Sequence, residues 1–305
     1  MAVAPDTLRS SRSRLRTWFG EQPIGYLFVA PFVLFLVGIY AYPFFFAIFI
    51  SFYKYIFTAP GVQINQPFAG LGNYTAVLSD PLFHIALRNV LIFLVINVPL
   101  TVAVSMILAS ALNGRIPLRG FFRAAYYIPY ITASVAAVGI WLWMFSGSGL
   151  VNKILGPLAP NPSWLVNGFW AMPIIAIYVT WKGLGFYILL YLAALQAIPK
   201  ELYEAAKVDG ARRIGAFFAV TVPGLRPATV LVVVVSIITG ANFFTEPYLL
   251  TGGGGPDNQS VSPVFLIYRE GIEQNHPGYA AAIGILLAIG VLVVSGVSRF
   301  FLERD

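Results

Sequence analysis

The chain has 305 residues and a net charge of +7, yet only 10% of it is charged and 58% is hydrophobic, with a mean hydropathy of +0.79. Soluble domains carry about 25% charged residues, so a chain this apolar cannot cover its surface in water and belongs in a bilayer. The absence of cysteine excludes a disulfide scaffold, thiolate metal sites and a cysteine nucleophile. The basic residues sit in short loops between apolar runs, which is the positive-inside pattern rather than a nucleic-acid footprint.

Residues 1–23 read as a basic tail carrying Arg9, Arg12, Arg14 and Arg16. The apolar run that follows is too long for the h-region of a signal peptide, which is about 7–15 residues, so it is expected to be a retained helix. Membrane spans are expected near 24–51, 88–111, 124–145, 169–196, 227–250 and 279–302. The runs 22–53, 89–114, 124–152 and 274–298 contain no Asp, Glu, Lys or Arg, and each can hold the ~20 apolar residues that a spanning helix needs. Such runs exclude a β-barrel, whose strands alternate over about ten residues. The fold expected is all-α, with six transmembrane helices in residues 24–305. Pro31, Pro43, Pro99, Pro129 and Pro173 fall inside the spans, where each removes a backbone hydrogen bond. They suit a bundle with an internal path, and equally suit ordinary kinks.

Six spans put both termini on one side. Arg115, Arg119 and Arg123 share that side with the basic tail, as do Lys200, Lys207, Arg212, Arg213, Arg226, Arg299 and Arg304. The bias places both termini and the loop 199–227 in the cytoplasm. The outer loops at 54–86 and 251–278 are rich in Gly, Pro and Asn and read as surfaces for a partner. His84 and His276 lack partners at ligand spacing, and no metal site is expected.

The loop 199–227 is polar between two apolar spans. Pro199 fits the first turn of a short helix, and Glu201 and Glu204 fall where carboxylates favour the helix dipole. Ala205 and Ala206 let another surface approach the backbone. Gly210 can take the left-handed conformation that stops a helix. A second, partly buried helix is expected over Ile214, Phe217, Phe218, Val220 and Val222, ending at Pro223 and Pro227. These features describe either a docking helix for a partner or a plain amphipathic connector.

Lys182 lies well inside the fourth span, where a charge costs at least ~2.5 kcal/mol. It is expected either to face an internal cavity or to snorkel to the outer surface. Glu246, near the outer end of the fifth span, is its candidate ion partner or an interfacial gate. Tyr130, Trp141, Phe186 and Tyr187 are candidates for stacking on the apolar face of a sugar, although packing accounts for most aromatic residues.

The segment Leu195-Gln-Ala-Ile-Pro199, Glu204-Ala-Ala, Asp209-Gly-Ala211, Phe217, Pro223 and Pro227 resembles the EAA loop of binding-protein-dependent ABC importer permeases. Ile128-Pro129-Tyr130, Trp181-Lys-Gly183 and Thr251-Gly-Gly-Gly-Gly-Pro256 agree with the carbohydrate-type permeases. The resemblance covers about 24–302 and is similar to the class that includes the larger membrane subunit of the maltose importer. The large extracellular insertion of that subunit is missing here. The resemblance implies a type I importer permease fold whose coupling helix carries Glu201, Glu204, Ala205, Ala206, Asp209, Gly210 and Ala211. It implies a second homologous permease, two copies of a nucleotide-binding ATPase subunit and an extracytoplasmic binding protein, in a bacterial or archaeal cytoplasmic (inner) membrane. ATP and Mg would be used by the partner ATPase, because this chain has no G-x-x-x-x-G-K-[ST] sequence. Local alignment to the maltose subunit implies a substrate path along Tyr130, Ser134, Lys182, Gly183, Phe186, Ser236, Thr239, Gly240 and Phe243, with Asn242 alongside.

The function expected is one half of the pore of an ATP-driven importer for a sugar or polyol. Glycerophosphodiesters and glycerol phosphates are alternative substrates. A self-contained secondary transporter would leave the 199–227 loop unexplained. A membrane enzyme would need converging carboxylates, and Asp257 and Glu270 in one outer loop do not form such a set.

Overall fold

A computed structural model describes residues 24–62, 64–114 and 117–303. The basic tail 1–23, Arg115 and Arg304 lie outside the described residues. The chain divides into two units at Ile50/Ser51. The first unit is the greater part of α1 (Gly25–Ser51), a single apolar helix of 27 residues. Its winding widens to a π-type turn over Leu36–Ala41, five residues after Pro31. A missing proline N–H and a widened turn are common sources of irregularity in long helices.

The second unit starts with α2 (Gly72–Ser79) and α3 (Pro81–Asn113). The Asp80 carboxylate caps α3 by accepting from the Leu82 N–H at 2.8 Å, with Pro81 in the first turn. Proline tolerates that position because its absent N–H would have no partner there anyway. The helices that follow are α4 (Arg119–Ile131), α5 (Ser134–Phe145), α6 (Leu150–Leu155) and α7 (Ala171–Leu195). The cytoplasmic-loop candidate forms α8 (Lys200–Val208) and α9 (Arg213–Gly224). Then come α10 (Arg226–Ala241), α11 (Thr245–Leu250), α12 (Pro263–Tyr268) and α13 (Pro277–Glu303).

By length and composition, α1, α3, α7 and α13 can each cross a membrane. The third and fifth expected spans are not straight rods. In place of one helix over 124–145, α4 and α5 meet at 99° across Thr132 and Ala133, both outside the helical conformation. Pro129 sits one turn before that break, and the Thr132 hydroxyl donates back to the Ile128 carbonyl at 2.7 Å. In place of one helix over 227–250, α10 stops at Ala241 and α11 restarts at Thr245. Sixteen residues rise about 24 Å, short of the ~30 Å hydrocarbon core. α9 and α10 pass the span criterion together, bent by 68°. The spans therefore number four, or up to six if each bent pair counts as one.

α3 packs most extensively on α7, and α4, α10 and α13 complete the bundle of this unit. One buried cluster joins Phe93, Val138, Trp141, Ile175, Tyr178 and Phe243. A second joins Leu112, Tyr191, Leu195, Ile198, Leu225 and Val232 at the end nearest α8. Gly185 makes the α4–α7 approach possible, since a Cβ there would lie 2.6 Å from the Tyr126 carbonyl oxygen.

A cavity between α3, α4, α7 and α10, and the α8–α9 loop

A cavity of about 310 Å³ is lined by Asn97 and Thr101 of α3, Tyr130 of α4, and Val179, Lys182, Gly183, Phe186 and Tyr187 of α7. Val235 and Thr239 of α10 and Glu246 of α11 complete it. The apolar helices leave this polar strip because α3 and α7 bring their Asn and Thr to one face. The Asn97 amide donates to the Thr180 hydroxyl at 2.8 Å, and both residues are buried. An unpaired amide in that position would cost ~1–3 kcal/mol, so the bond fixes how α3 and α7 pair. Across the cavity the Tyr187 and Thr239 hydroxyls are 3.3 Å apart.

Lys182 faces this cavity rather than the lipid. Its ammonium donates to the Ser134 hydroxyl at the start of α5. The break between α4 and α5 brings Ser134 there. The ion pair expected with Glu246 does not form within 4.0 Å, although both residues line the cavity. Glu246 occupies the first turn of α11, the helix that restarts after the α10 break. The Tyr130 and Phe186 rings stack at 5.6 Å and 18°. A Cβ on Gly183 would lie 3.1 Å from the Tyr187 ring, so this glycine leaves that ring its room.

Of the substrate-path candidates, Tyr130, Lys182, Gly183, Phe186, Thr239 and Glu246 line one cavity, and Ser134 touches it through Lys182. The others lie elsewhere. Phe243 is buried and stacks on Phe93 at 4.4 Å. Gly240 backs onto Phe93 and Leu94. Ser236 is buried with no partner for its hydroxyl. Asn242 is exposed, and its amide donates to the Ile238 carbonyl at 2.7 Å. Trp141 packs against Phe145, Tyr178 and Trp181 in the core. Tyr187, a stacking candidate from the sequence, also lines the cavity, and Asn97 and Thr101 join it without a sequence signal of their own beyond being polar in an apolar run. Among the described residues no group of His, Asp and Glu is clustered to hold a metal. His276 instead pairs with Glu270 at 3.5 Å.

At the other end of α7, α8 starts after Pro199 and ends in a Schellman closure. The Gly210 N–H donates to the Lys207 carbonyl at 3.0 Å and the Ala211 N–H to the Ala206 carbonyl at 2.8 Å. Gly210 has φ +82°, the left-handed conformation that this closure needs. Glu201, Glu204, Ala205, Asp209 and Gly210 are exposed, Ala211 is half-buried, and Ala206 is buried against the protein. The Tyr203 and Thr221 hydroxyls are 3.0 Å apart and tie α8 to α9. Val208 at the end of α8 is 88% exposed, and Ile214 and Phe218 of α9 are 75% and 66% exposed, an apolar rim on these two helices. The sequence suggests a partly buried helix over Ile214, Phe217, Phe218, Val220 and Val222; Phe217, Val220 and Val222 are half-buried, whereas Ile214 and Phe218 are exposed.

The chain matches the model of the family described as "Binding-protein-dependent transport system inner membrane component" over residues 102–304. It is 37% identical over 285 residues to the arabinooligosaccharides transport system permease protein AraP of Bacillus subtilis (strain 168), covering 92% of this chain and 89% of that protein. It is 33% identical over 302 residues to the lactose transport system permease protein LacF of Rhizobium radiobacter, covering 97% and 98%. Its fold is similar to a crystal structure of a bacterial ABC transporter involved in the import of the acidic polysaccharide alginate. The TM-score is 0.73 at 21% identity, over 95% of this chain and 99% of that one. The chain thus belongs to the family of inner membrane components of binding-protein-dependent transport systems, and it is a transport subunit rather than an enzyme.

Proposed function

We propose that this chain forms half of the translocation pore of an ATP-driven ABC importer for a sugar or related polyol delivered by an extracytoplasmic binding protein. The observation that carries the substrate class is the cavity. Hydroxyl and amide groups line it together with the stacked Tyr130 and Phe186 rings. Polyhydroxylated rings present both kinds of surface, hydroxyls at the edge and C–H groups on the face. The relatives named for arabinooligosaccharide and lactose transport support the same class.

In this reading each bent pair contributes one span, with α9 on the cytoplasmic side leading into α10. Residues 24–305 then form a six-span permease domain in the inner membrane, with both termini and the 199–227 loop in the cytoplasm. The exposed face of α8, with Glu201, Glu204, Ala205, Asp209 and Gly210, docks into a partner ATPase, with Ala206 and Ala211 holding it to the permease. Tyr203–Thr221 and the Ile198–Leu225 cluster pass a movement of α8 to α7 and α10. Two ATPase copies and a second permease complete the complex. ATP and Mg are used by the ATPase chains. Substrate passes Tyr130, Ser134, Lys182, Gly183, Phe186, Thr239 and Glu246, while Ser236, Gly240, Asn242 and Phe243 shape the path from behind.

A self-contained secondary transporter is the second reading, and Glu246 in the cavity is the observation that favours it. It gives no role to the exposed α8 surface. The deciding experiment is a pull-down of the tagged subunit from its native membrane with an ATPase assay on the eluate. A second permease and an ATPase subunit, with hydrolysis stimulated by a binding protein, are expected. A chain that elutes alone and transports in liposomes without ATP would overturn the importer reading.

A further inference from the structure

The charged residues lining the cavity are Lys182 and Glu246, one of each sign, on different helices. They do not neutralise each other by contact, because no ion pair forms within 4.0 Å. Both line the same cavity of about 310 Å³. Any ligand group that reaches the ammonium is therefore also in the field of the carboxylate. Ser134 takes one of the three donor positions of the Lys182 ammonium, which leaves donors on Lys182 and acceptors on Glu246 facing a ligand.

Resting on the importer reading above, we propose that Lys182 and Glu246 together set the charge selectivity of the cavity, with Glu246 as the residue that rejects anionic saccharides. An uncharged saccharide satisfies both, since each hydroxyl can donate to the carboxylate and accept from the ammonium. A carboxylated or phosphorylated one gains at Lys182 and is repelled by Glu246. Asn97, Thr101, Tyr187 and Thr239 add hydrogen-bonding capacity without net charge. Charge is not fixed by the fold, which also serves a bacterial importer of the acidic polysaccharide alginate.

The test uses the purified complex of this subunit with its partner permease and ATPase chains, with the binding protein omitted so that its own selectivity does not intervene. Binding of arabinotriose, a neutral probe, and of trigalacturonate, an anionic one, is measured by tryptophan fluorescence for the wild type, Glu246→Gln and Lys182→Gln. The wild type is expected to prefer the neutral probe. Glu246→Gln should raise the anionic-to-neutral affinity ratio roughly tenfold, and Lys182→Gln should lower it. Opposite shifts separate a charge effect from damage to the fold, which would weaken both probes alike. A wild type that prefers the anionic probe, or a ratio that Glu246→Gln leaves unmoved, would overturn the proposal and leave the importer reading intact. So would a complex that hydrolyses ATP but binds neither probe. Failure of the complex to assemble would instead remove the importer reading, and the proposal with it.

Discussion

At the scale of single residues, two kinds of position control this molecule: glycines at close approaches and polar groups in apolar helices. A Cβ on Gly185 would meet the backbone of α4, 2.6 Å from the Tyr126 oxygen and 2.8 Å from the Tyr127 Cα. Backbone cannot rotate away as a side chain can, so Gly185→Ala is expected to cost about 1–3 kcal/mol. A drop in the thermal midpoint of the detergent-solubilised chain measures it, and an unchanged midpoint would show that α4 yields. Lys182→Ala removes the cation from the cavity and strands the Ser134 hydroxyl. It is expected to change substrate-stimulated ATPase activity several-fold, and identical stimulation by every substrate tried would take Lys182 off the path. Lys182 was legible in the sequence because a charge inside an apolar run is conspicuous. Asn97 was not, because neutral polar residues are ordinary in helices. Only its 2.8 Å bond to Thr180 shows that it pins α3 to α7 beside the cavity.

At the scale of elements, α8 was readable almost residue by residue. Pro199 at its start, Glu201 in its first turn and Gly210 at its end are local signals, and a short helix between them needs no tertiary support to be recognised. Gly210→Val forces a β-branched side chain to φ +82° at a cost of about 1–2 kcal/mol, which frays the Schellman closure. Transport and ATPase activity are expected to uncouple in that variant. Wild-type, substrate-stimulated transport would count against docking by α8. The 99° break between α4 and α5 was not legible. The run 124–145 is continuously apolar, and hydropathy carries length but no direction. Pro129 marks a place where a helix can break, but a proline inside a long helix does not force a break, as α3 shows by continuing through Pro99. The break at Thr132–Ala133 has a consequence for the cavity, because it presents Ser134 to Lys182.

At the scale of the whole molecule, the proposed topology, argued from the distribution of basic residues, puts the α8 loop on the cytoplasmic side. Lys207 is exposed on α8. A cysteine introduced there, in a chain that has none, is expected to resist an impermeant thiol reagent in intact cells and to react after permeabilisation. Modification in intact cells would reverse the topology. The exposed apolar rim of Val208, Ile214 and Phe218 implies that the subunit expressed alone is less soluble in mild detergent than when co-expressed with its partner chains. Gel filtration of the two preparations checks this, and equal monodispersity would argue that no partner covers the rim.

The sequence by itself determined that this is an α-helical membrane protein, where its apolar runs lie, and that one polar loop between them carries a short, locally capped helix. These properties depend on local composition and on the cost of exposing backbone to lipid, so they can be read one segment at a time. The tertiary structure alone decided which helices bend, which polar residues meet, and that Lys182 turns toward Ser134 and away from lipid. Those outcomes depend on contacts between α3, α4, α7 and α10, far apart in the chain, where a glycine or a buried amide selects one packing among many that the same hydropathy allows.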